Sequence, residues 1–210
     1  MFAENLSDAL RAVAEALRSP VIFLLLLLIA VAVIMLGTLI AEVFTERVRL
    51  KAKMPALADA FKDGSRPPAE TINGSGLLKR QKKALLELIS HPELTPAMRE
   101  AMARRLLFEE QNHYDRIIRI TDIIARIGPM LGLLGTLIPL GPGLIALGQG
   151  DTYTLSQSLL TAFDTTVAGL AAAAVAFVVS TVRRNWYGNY QTLLESLMEC
   201  ILDREAGNEN

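Results

Sequence analysis

Cysteine and histidine are scarce in this sequence, and their scarcity limits the chemistry that the chain can support. Among 210 residues Cys200 is the single cysteine, so no disulfide can form within the chain. The two histidines, His91 and His113, are far apart and have no cysteine at the spacing of metal ligands. No strand signal, phosphate-binding loop or set of nucleophile, base and orienting residue is found. The sequence therefore predicts no metal site, no cofactor and no enzyme activity.

Charge is missing from three long stretches of a chain that is 51% hydrophobic. Val21–Ala41 is uncharged over 21 residues, and a helix of that length covers the roughly 30 Å hydrocarbon core of a bilayer. Ile127–Gly150 is a second uncharged stretch, and Thr152–Val182 is a third, whose one charge is Asp164. We therefore expect three transmembrane helices.

These patterns predict an all-α integral membrane protein, a helical bundle whose long helices extend into the cytoplasm. The predicted segments are an outer amphipathic helix at 1–19, transmembrane helices at 20–43, 127–148 and 155–182, a cytoplasmic helical region at 44–126, and a cytoplasmic helix and tail at 183–210.

The distribution of positive charge predicts the orientation of these spans. Of 21 lysines and arginines, 16 lie between Arg47 and Arg126, and the short link from Gly148 to Gln157 has none. Positive residues favour the cytoplasmic side, so we expect an outer N-terminus and a cytoplasmic C-terminus in a multi-pass protein of the cell membrane. Acidic residues among the first 19 argue against a cleaved signal peptide, so the first span is expected to stay in the mature protein.

Several local elements are also predicted. Apolar residues at helical intervals from Phe2 to Leu17 indicate an amphipathic helix on the outer surface, ended by a turn at Ser19 and Pro20; a helical extension of the first span is the alternative. Glu46–Phe61 is predicted helical and Asp63–Gly76 a loop. The remaining expectations are a short helix with its apolar face over Leu77–Ile89, a long helix from Thr95 and Pro96 into span two, and a continuation of span three past Arg183 and Arg184.

Span two carries small residues at intervals of three or four, which permit close approach of a neighbouring helix. Pro139 and Pro142 are expected to bend or end this helix near its outer end. The residues predicted to serve helix packing are Gly128, Gly132 and Gly135 in span two and Gly169 in span three.

Asp164 is the exceptional residue of span three. An ionised aspartate in hydrocarbon costs about 2.5 to 3.5 kcal/mol, so this side chain should not face lipid. A carboxylate bordered by threonine hydroxyls in a hydrated cavity suits a site for H⁺ or Na⁺. The alternative is that Asp164 caps the start of span three near the headgroups. For Thr136 the alternative is a hydroxyl bonded to its own helix.

Two motifs in these spans resemble the MotA/TolQ/ExbB proton-channel family. "GPMLGLLGTLIPLGPGLIALG" is similar to the second span of that family, and "TAFDTTVAGLAAAA" is similar to the third. The predicted topology of three spans also resembles that of the TolQ and ExbB members. The match is good over roughly residues 116–205 and rests on architecture alone before that.

The resemblance implies a homopentamer around a single-span partner of the ExbD/TolR/MotB type. It also implies that the pore threonines of the family fall on Thr136 and Thr166. Where TolQ and ExbB have a glutamate five residues before the second of these threonines, this chain has Thr161, with Asp164 one turn further along. The expected ion pathway therefore comprises Thr136, Thr161, Asp164, Thr165 and Thr166.

The expected function is an ion-channel-forming subunit of a stator-like motor complex, which conducts H⁺ or Na⁺ and uses an ion gradient for movement or transport work. The alternative is a membrane scaffold that binds a partner helix and conducts nothing. No nucleic-acid partner is expected, because the basic cluster after Leu78 is more simply a feature of topology and lipid contact.

Overall fold

The computed structural model describes residues 2–44, 68–91 and 93–208, and these residues form five α-helices. The helices are α1 (Phe2–Glu42), α2 (Pro68–Gly74), α3 (Lys79–Ile89), α4 (Pro96–Gly148) and α5 (Thr152–Asn208). Three of them, α1, α4 and α5, are long and apolar enough to cross a membrane. The prediction of an all-helical chain with three spans is thus confirmed over the described ranges.

The two longest helices also follow the sequence prediction. Helix α4 runs for 53 residues from Pro96 into span two, and α5 runs for 57 residues through span three and beyond Arg184. Proline suits the first position of α4 because the amide it lacks would have no partner there. Pro139 and Pro142 lie inside α4 and do not end it, since the helix continues to Gly148. Proline is tolerated inside membrane helices where neighbouring groups satisfy the carbonyl it frees.

Two local predictions are wrong. Pro20 lies inside α1, so the turn predicted at Ser19 and Pro20 is replaced by one continuous helix. The amphipathic segment is therefore an extension of the first span. Residues 68–74, predicted as part of a loop, form α2, in which Ile72 is fully buried. The helix predicted over Glu46–Phe61 lies outside the described residues.

The chain divides into two compact units. One unit comprises Leu39–Ile118 and Val182–Asn210 and contains an apolar core. Beside this core the Gln81 amide donates a hydrogen bond to the backbone carbonyl of Tyr190 at 3.2 Å, and Arg80 pairs with the buried carboxylate of Glu110 at 3.0 Å. The fully or nearly fully buried core residues include Ile72, Leu85, Leu88, Leu194, Leu197, Met198 and Ile201. The amphipathic pattern of α3 is thus satisfied by burial against α4 and α5.

The other unit comprises Met1–Thr38 and Arg119–Thr181, and in it α4 and α5 approach closely through glycines. A Cβ atom built on Gly169 would lie 2.6 Å from the carbonyl oxygen of Gly128, and one built on Gly128 would lie 2.8 Å from the carbonyl oxygen of Gly169. No real side chain tolerates such distances to backbone atoms. The two helices therefore meet backbone to backbone at this point.

Asp151 begins α5 after the short turn that follows α4. Its carboxylate accepts hydrogen bonds from the backbone N–H of Thr154 at 3.0 Å and from the Thr154 hydroxyl at 2.5 Å, which is the geometry of a helix N-cap. These hydrogen bonds hold the pKa of Asp151 below the ordinary value of an aspartate. Gly150 precedes it with φ of 81°, a left-handed conformation that favours glycine.

Gly169→Ala and Gly188→Ala are expected to change stability in opposite directions. The methyl group at 169 meets the Gly128 carbonyl, and such overpacking costs about 1 to 3 kcal/mol. At Gly188 of the same helix nothing lies within 4 Å of an added Cβ, so alanine gains up to about 1 kcal/mol of helix propensity. Thermal unfolding of the purified protein in detergent measures both. Equal midpoints for the two variants would contradict the close contact.

Asp151→Ala is expected to lower the thermal midpoint at neutral pH, because α5 loses its cap. A lowered folded-state pKa means that the carboxylate stabilises the protein above its unfolded pKa, and that this contribution is lost as pH falls through the folded pKa. The difference between wild type and Asp151→Ala should therefore shrink in acid. Asp151→Asn, which keeps a capping oxygen, is the matched control and should lie between the two. A difference that stays constant with pH would contradict the charged cap.

Candidate functional site

Thr165 lies in the contact between α4 and α5. Its side chain faces Gly135, where an added Cβ would lie 2.6 Å from the Thr165 Cβ. Thr165 is 8% exposed, and its hydroxyl donates to the backbone carbonyls of Thr161 and Ala162, both at 3.0 Å. Because its hydroxyl is satisfied within its own helix and its methyl group is packed, Thr165 occupies the seam between the two helices.

Thr136 and Thr166 lie at the same level on the edge of that seam, and both are half-buried. They directly follow Gly135 and Thr165, the two residues that meet in the seam. The Thr136 hydroxyl donates to the carbonyl of Leu133 at 2.6 Å, and that of Thr166 donates to the carbonyl of Ala162 at 3.1 Å. The backbone bond foreseen as the alternative for Thr136 is present. Each hydroxyl oxygen keeps acceptor capacity for water or a cation.

Asp164 and Thr166 do not share a side of α5. Two residues along a helix correspond to a rotation of about 200°, so the two side chains point about 160° apart. Asp164 is exposed, as are its neighbours Phe163 and Val167. It is also well inside α5, which begins at Thr152 and is capped by Asp151. The alternative in which Asp164 caps span three is therefore wrong.

Thr161 lies on the side of α5 that meets α1. It lines a cavity of about 10 Å³ together with Arg18 and Val21 of α1 and Gly135 and Pro139 of α4. A cavity of that size holds about one water molecule. The Thr161 hydroxyl donates to the carbonyl of Gln157 at 3.0 Å. Asp164 is three residues further on, about 60° away, and so belongs to the same flank of α5 as Thr161.

Sequence reasoning missed two groups in this unit. Arg18 was assigned to a helix on the far side of a turn at Pro20, but the continuous α1 brings it to Thr161. Asp122 fell within the predicted cytoplasmic helical region 44–126 and was not singled out, yet the hydroxyl of Ser180 on α5 donates a hydrogen bond to its carboxylate. Ser180 is 4% exposed and Asp122 is half-buried. A lone serine near the end of an apolar run gave no signal of its partner.

The hydrogen bond between Asp122 and Ser180 shows which side of α4 lies next to which side of α5. Thr136 follows Asp122 by 14 residues, and Thr166 precedes Ser180 by 14 residues. Fourteen residues are almost four helical turns. Thr136 and Asp122 on α4 therefore point within about 40° of each other, as do Thr166 and Ser180 on α5, and each pair is about 21 Å apart along its helix. Because Asp122 meets Ser180, Thr136 and Thr166 stand on one common side. We call this side, defined by Thr136, Thr166, Asp122 and Ser180, the threonine flank.

The arrangement supports contact with small ions or water. Among the residues that the structure describes, no group of three or more histidine, cysteine, aspartate or glutamate side chains converges on a possible metal position. The threonine flank offers hydroxyl oxygens and one carboxylate at the edge of an apolar helix pair. Such groups exchange hydrogen bonds with water and coordinate small cations.

Comparison with known proteins gives the same family as the motifs. The sequence model of the MotA/TolQ/ExbB proton channel family matches residues 74–196 of this chain. The biopolymer transport protein exbB1 of Vibrio cholerae serotype O1 is 29% identical over 122 residues, which cover 54% of this chain and 52% of that protein. The chain thus matches about half the length of this curated relative.

A disulfide is expected to form between Asp122→Cys and Ser180→Cys on mild oxidation of membranes, in a Cys200→Ser background. The hydrogen bond shows that the two native side chains are in direct contact across the seam, which is the first requirement for a disulfide at these positions. Asp122→Cys with Val178→Cys is the control, because Val178 is 53% exposed and points about 160° away from Ser180. Gel mobility with and without reductant measures the link. Equal yields for the two pairs would contradict the flank assignment.

Proposed function

The chain belongs to the MotA/TolQ/ExbB proton channel family, and we propose that it is the ion-channel-forming subunit of a motor complex driven by an ion gradient. Its three apolar helices and its family make it a multi-pass protein of the inner membrane. In the proposed complex several copies, five by resemblance, surround the single span of an ExbD/TolR/MotB-like partner. H⁺ or Na⁺ moves between the copies and the partner, and the complex delivers the energy as movement or transport work.

The threonine flank is the observation that carries this proposal. Two hydroxyls stand level on neighbouring helices, at the edge of a seam too tight for side chains. Each hydroxyl donates inward to its own helix, so its lone pairs point away from the backbone carbonyl that it binds. Lone pairs of this kind accept hydrogen bonds from water or coordinate a cation, and no charged side chain has to be buried for this. The partner helix is proposed to face these oxygens.

Asp164 has a separate place in the proposal. It lies on the same side of α5 as Thr161. By resemblance, the TolQ and ExbB members have a glutamate at the position of Thr161. A carboxylate left against lipid costs about 2.5 to 3.5 kcal/mol, so the exposed Asp164 of one copy is proposed to be covered by the next copy. There it exchanges protons with the water that enters between subunits. Thr161 and the small cavity beside Arg18 lie along the same flank.

The charged ends of α4 and α5 are proposed to be cytoplasmic. Arg119 and Arg126 on α4 and Arg183 and Arg184 on α5 flank the apolar segments at this end, whereas the turn between the helices carries only Asp151. Positive residues next to a span favour the cytoplasm. In this orientation the turn at Gly150 is outside and the long helical extensions lie beneath the membrane.

Asp164→Asn and Thr166→Val, each made separately, are expected to lower gradient-driven ion flux at least about tenfold when the partner is co-expressed, because each removes a group that handles the ion. Flux is measured in vesicles with an internal pH dye, and again with Na⁺ as the driving ion. Thr192→Val is the matched control: its hydroxyl also bonds its own helix, to the carbonyl of Gly188, but it lies beyond the predicted span 155–182.

Assembly is measured on the same samples by the mass of the purified complex. A complex that assembles with its partner but passes no ion, in wild type and variants alike, would favour the non-conducting scaffold. Wild-type flux in both Asp164→Asn and Thr166→Val would remove these two residues from the mechanism.

A further inference from the structure

We infer that Asp122 is a second carboxylate of the ion pathway, at its cytoplasmic end, and that Ser180 holds it there. The inference rests on the proposed function, because it names the group at which an ion that has passed the threonines leaves the membrane. The observation that carries it is the hydrogen bond from the Ser180 hydroxyl to the Asp122 carboxylate across the seam of α4 and α5.

Asp122 is the acid that shares a flank with Thr136 and Thr166. Asp164 stands about 160° from Thr166 on α5, on the flank of Thr161 and the α1 contact. Asp122 stands two heptads before Thr136, within about 40° of it around α4. An ion that follows the threonine flank therefore meets the carboxylate of Asp122 and not that of Asp164 within the same chain.

The position of Asp122 along α4 fits a site at which an ion leaves the membrane. Along α4 it lies about 21 Å from Thr136, towards the charged end. Its partner Ser180 is two residues before the end of the uncharged run at Val182. Arg119 and Arg126, both exposed, stand one turn to either side of Asp122 on α4. The carboxylate thus lies at the level where the apolar band gives way to charged surroundings.

The hydrogen bond to Ser180 does not by itself require a carboxylate at position 122. Ser180 is 4% exposed, and a neutral amide opposite it would make the same hydrogen bond at a lower desolvation cost than a charge. The carboxylate of Asp122 is half-buried on the threonine flank. It accepts a proton from water on the flank, becomes neutral, and returns the proton to cytoplasmic water, while the Ser180 hydroxyl keeps it oriented.

The test measures proton flux in vesicles that contain the full complex with its partner. Asp122→Asn is expected to lower flux at least about tenfold, a modest share of what a positioned proton-transfer group contributes. Asp122→Glu is expected to restore most of the flux, because it returns the carboxyl group. Ser180→Ala is expected to give an intermediate flux, since the carboxylate remains but loses its hydroxyl donor. Asp115→Asn is the matched control, an exposed acid two turns earlier on the same helix.

A structural role would give a different pattern. Asp122→Asn keeps a hydrogen-bond acceptor for Ser180, so a merely structural Asp122 predicts wild-type flux in Asp122→Asn and a loss in Ser180→Ala. That pattern would overturn the inference. If Asp122→Asn conducts normally while Asp164→Asn and Thr166→Val do not, the inference fails and the proposed function stands. If all of them conduct normally, the proposed pathway fails as well.

A measurement on the wild-type complex covers the case in which a variant fails to assemble. Dicyclohexylcarbodiimide couples to carboxyl groups that become protonated in apolar surroundings, and mass spectrometry of the digested protein locates the adduct. Labelling of Asp122 that rises in step with the loss of flux supports the inference. Flux that persists once Asp122 carries the adduct contradicts it, and so does an Asp122 that stays unlabelled after Asp164 is fully labelled.

Discussion

The direct backbone contact between α4 and α5 is the constraint on which the rest of the unit formed by Met1–Thr38 and Arg119–Thr181 depends. Gly128 and Gly169 leave no room for a Cβ atom, so the two helices are held at one distance and in one register. Thr165 fills the wider part of the seam against Gly135. Once that register is fixed, the levels of Thr136 and Thr166 and the meeting of Asp122 with Ser180 follow from the helical repeat alone.

A seam of this kind also decides which polar groups remain available. In an apolar layer every hydroxyl needs a partner, and the nearest acceptor is a carbonyl one turn earlier in its own helix. Thr136, Thr161, Thr165 and Thr166 all use it. Their donors are thereby satisfied without any contact between helices. What distinguishes Thr165 from its neighbours is packing, because the seam encloses it and leaves Thr136 and Thr166 at the edge.

Much of the fold follows from local patterns in the sequence. The uncharged runs, the start at Pro96 and the lack of glycine and proline over residues 97–127 suffice to predict α4 and α5. The errors occur where a proline was taken to end or exclude a helix. Pro20 is a strong breaker in water, but it stands inside a helix of 41 residues, and one lost amide is a small part of the hydrogen bonding of so long a helix. Pro68 was counted as a loop residue although it suits the first turn of α2.

The candidate site was less predictable, for a geometric reason. Composition singles out Asp164 because it is the one charge in an apolar run, and proximity in sequence suggests that Asp164, Thr165 and Thr166 act together. Three consecutive residues of a helix point in three directions, about 100° apart, so they divide between the α1 side, the seam and the threonine flank. Asp122, outside the apolar run of its own helix, joins the threonines through a contact 58 residues away that no periodicity encodes.

The different sides of α5 occupied by Thr161 and Thr166 limit how several copies can assemble into a ring. Helix α1 contributes Arg18 and Val21 to the cavity on the Thr161 side of the α4–α5 pair, and it exposes large apolar side chains such as Phe23, Leu26 and Val33. Side chains of that kind are stable against acyl tails. In the proposed oligomer α1 therefore faces lipid, which turns the threonine flank towards the shared axis and leaves Asp164 near the boundary between one copy and the next. In the proposed oligomer the partner helix then meets the hydroxyls of Thr136 and Thr166 at one level and the carboxylate of Asp122 at the charged end. In the proposed pathway an ion on the axis passes these weak ligands before it reaches Asp122, an arrangement that favours release over retention.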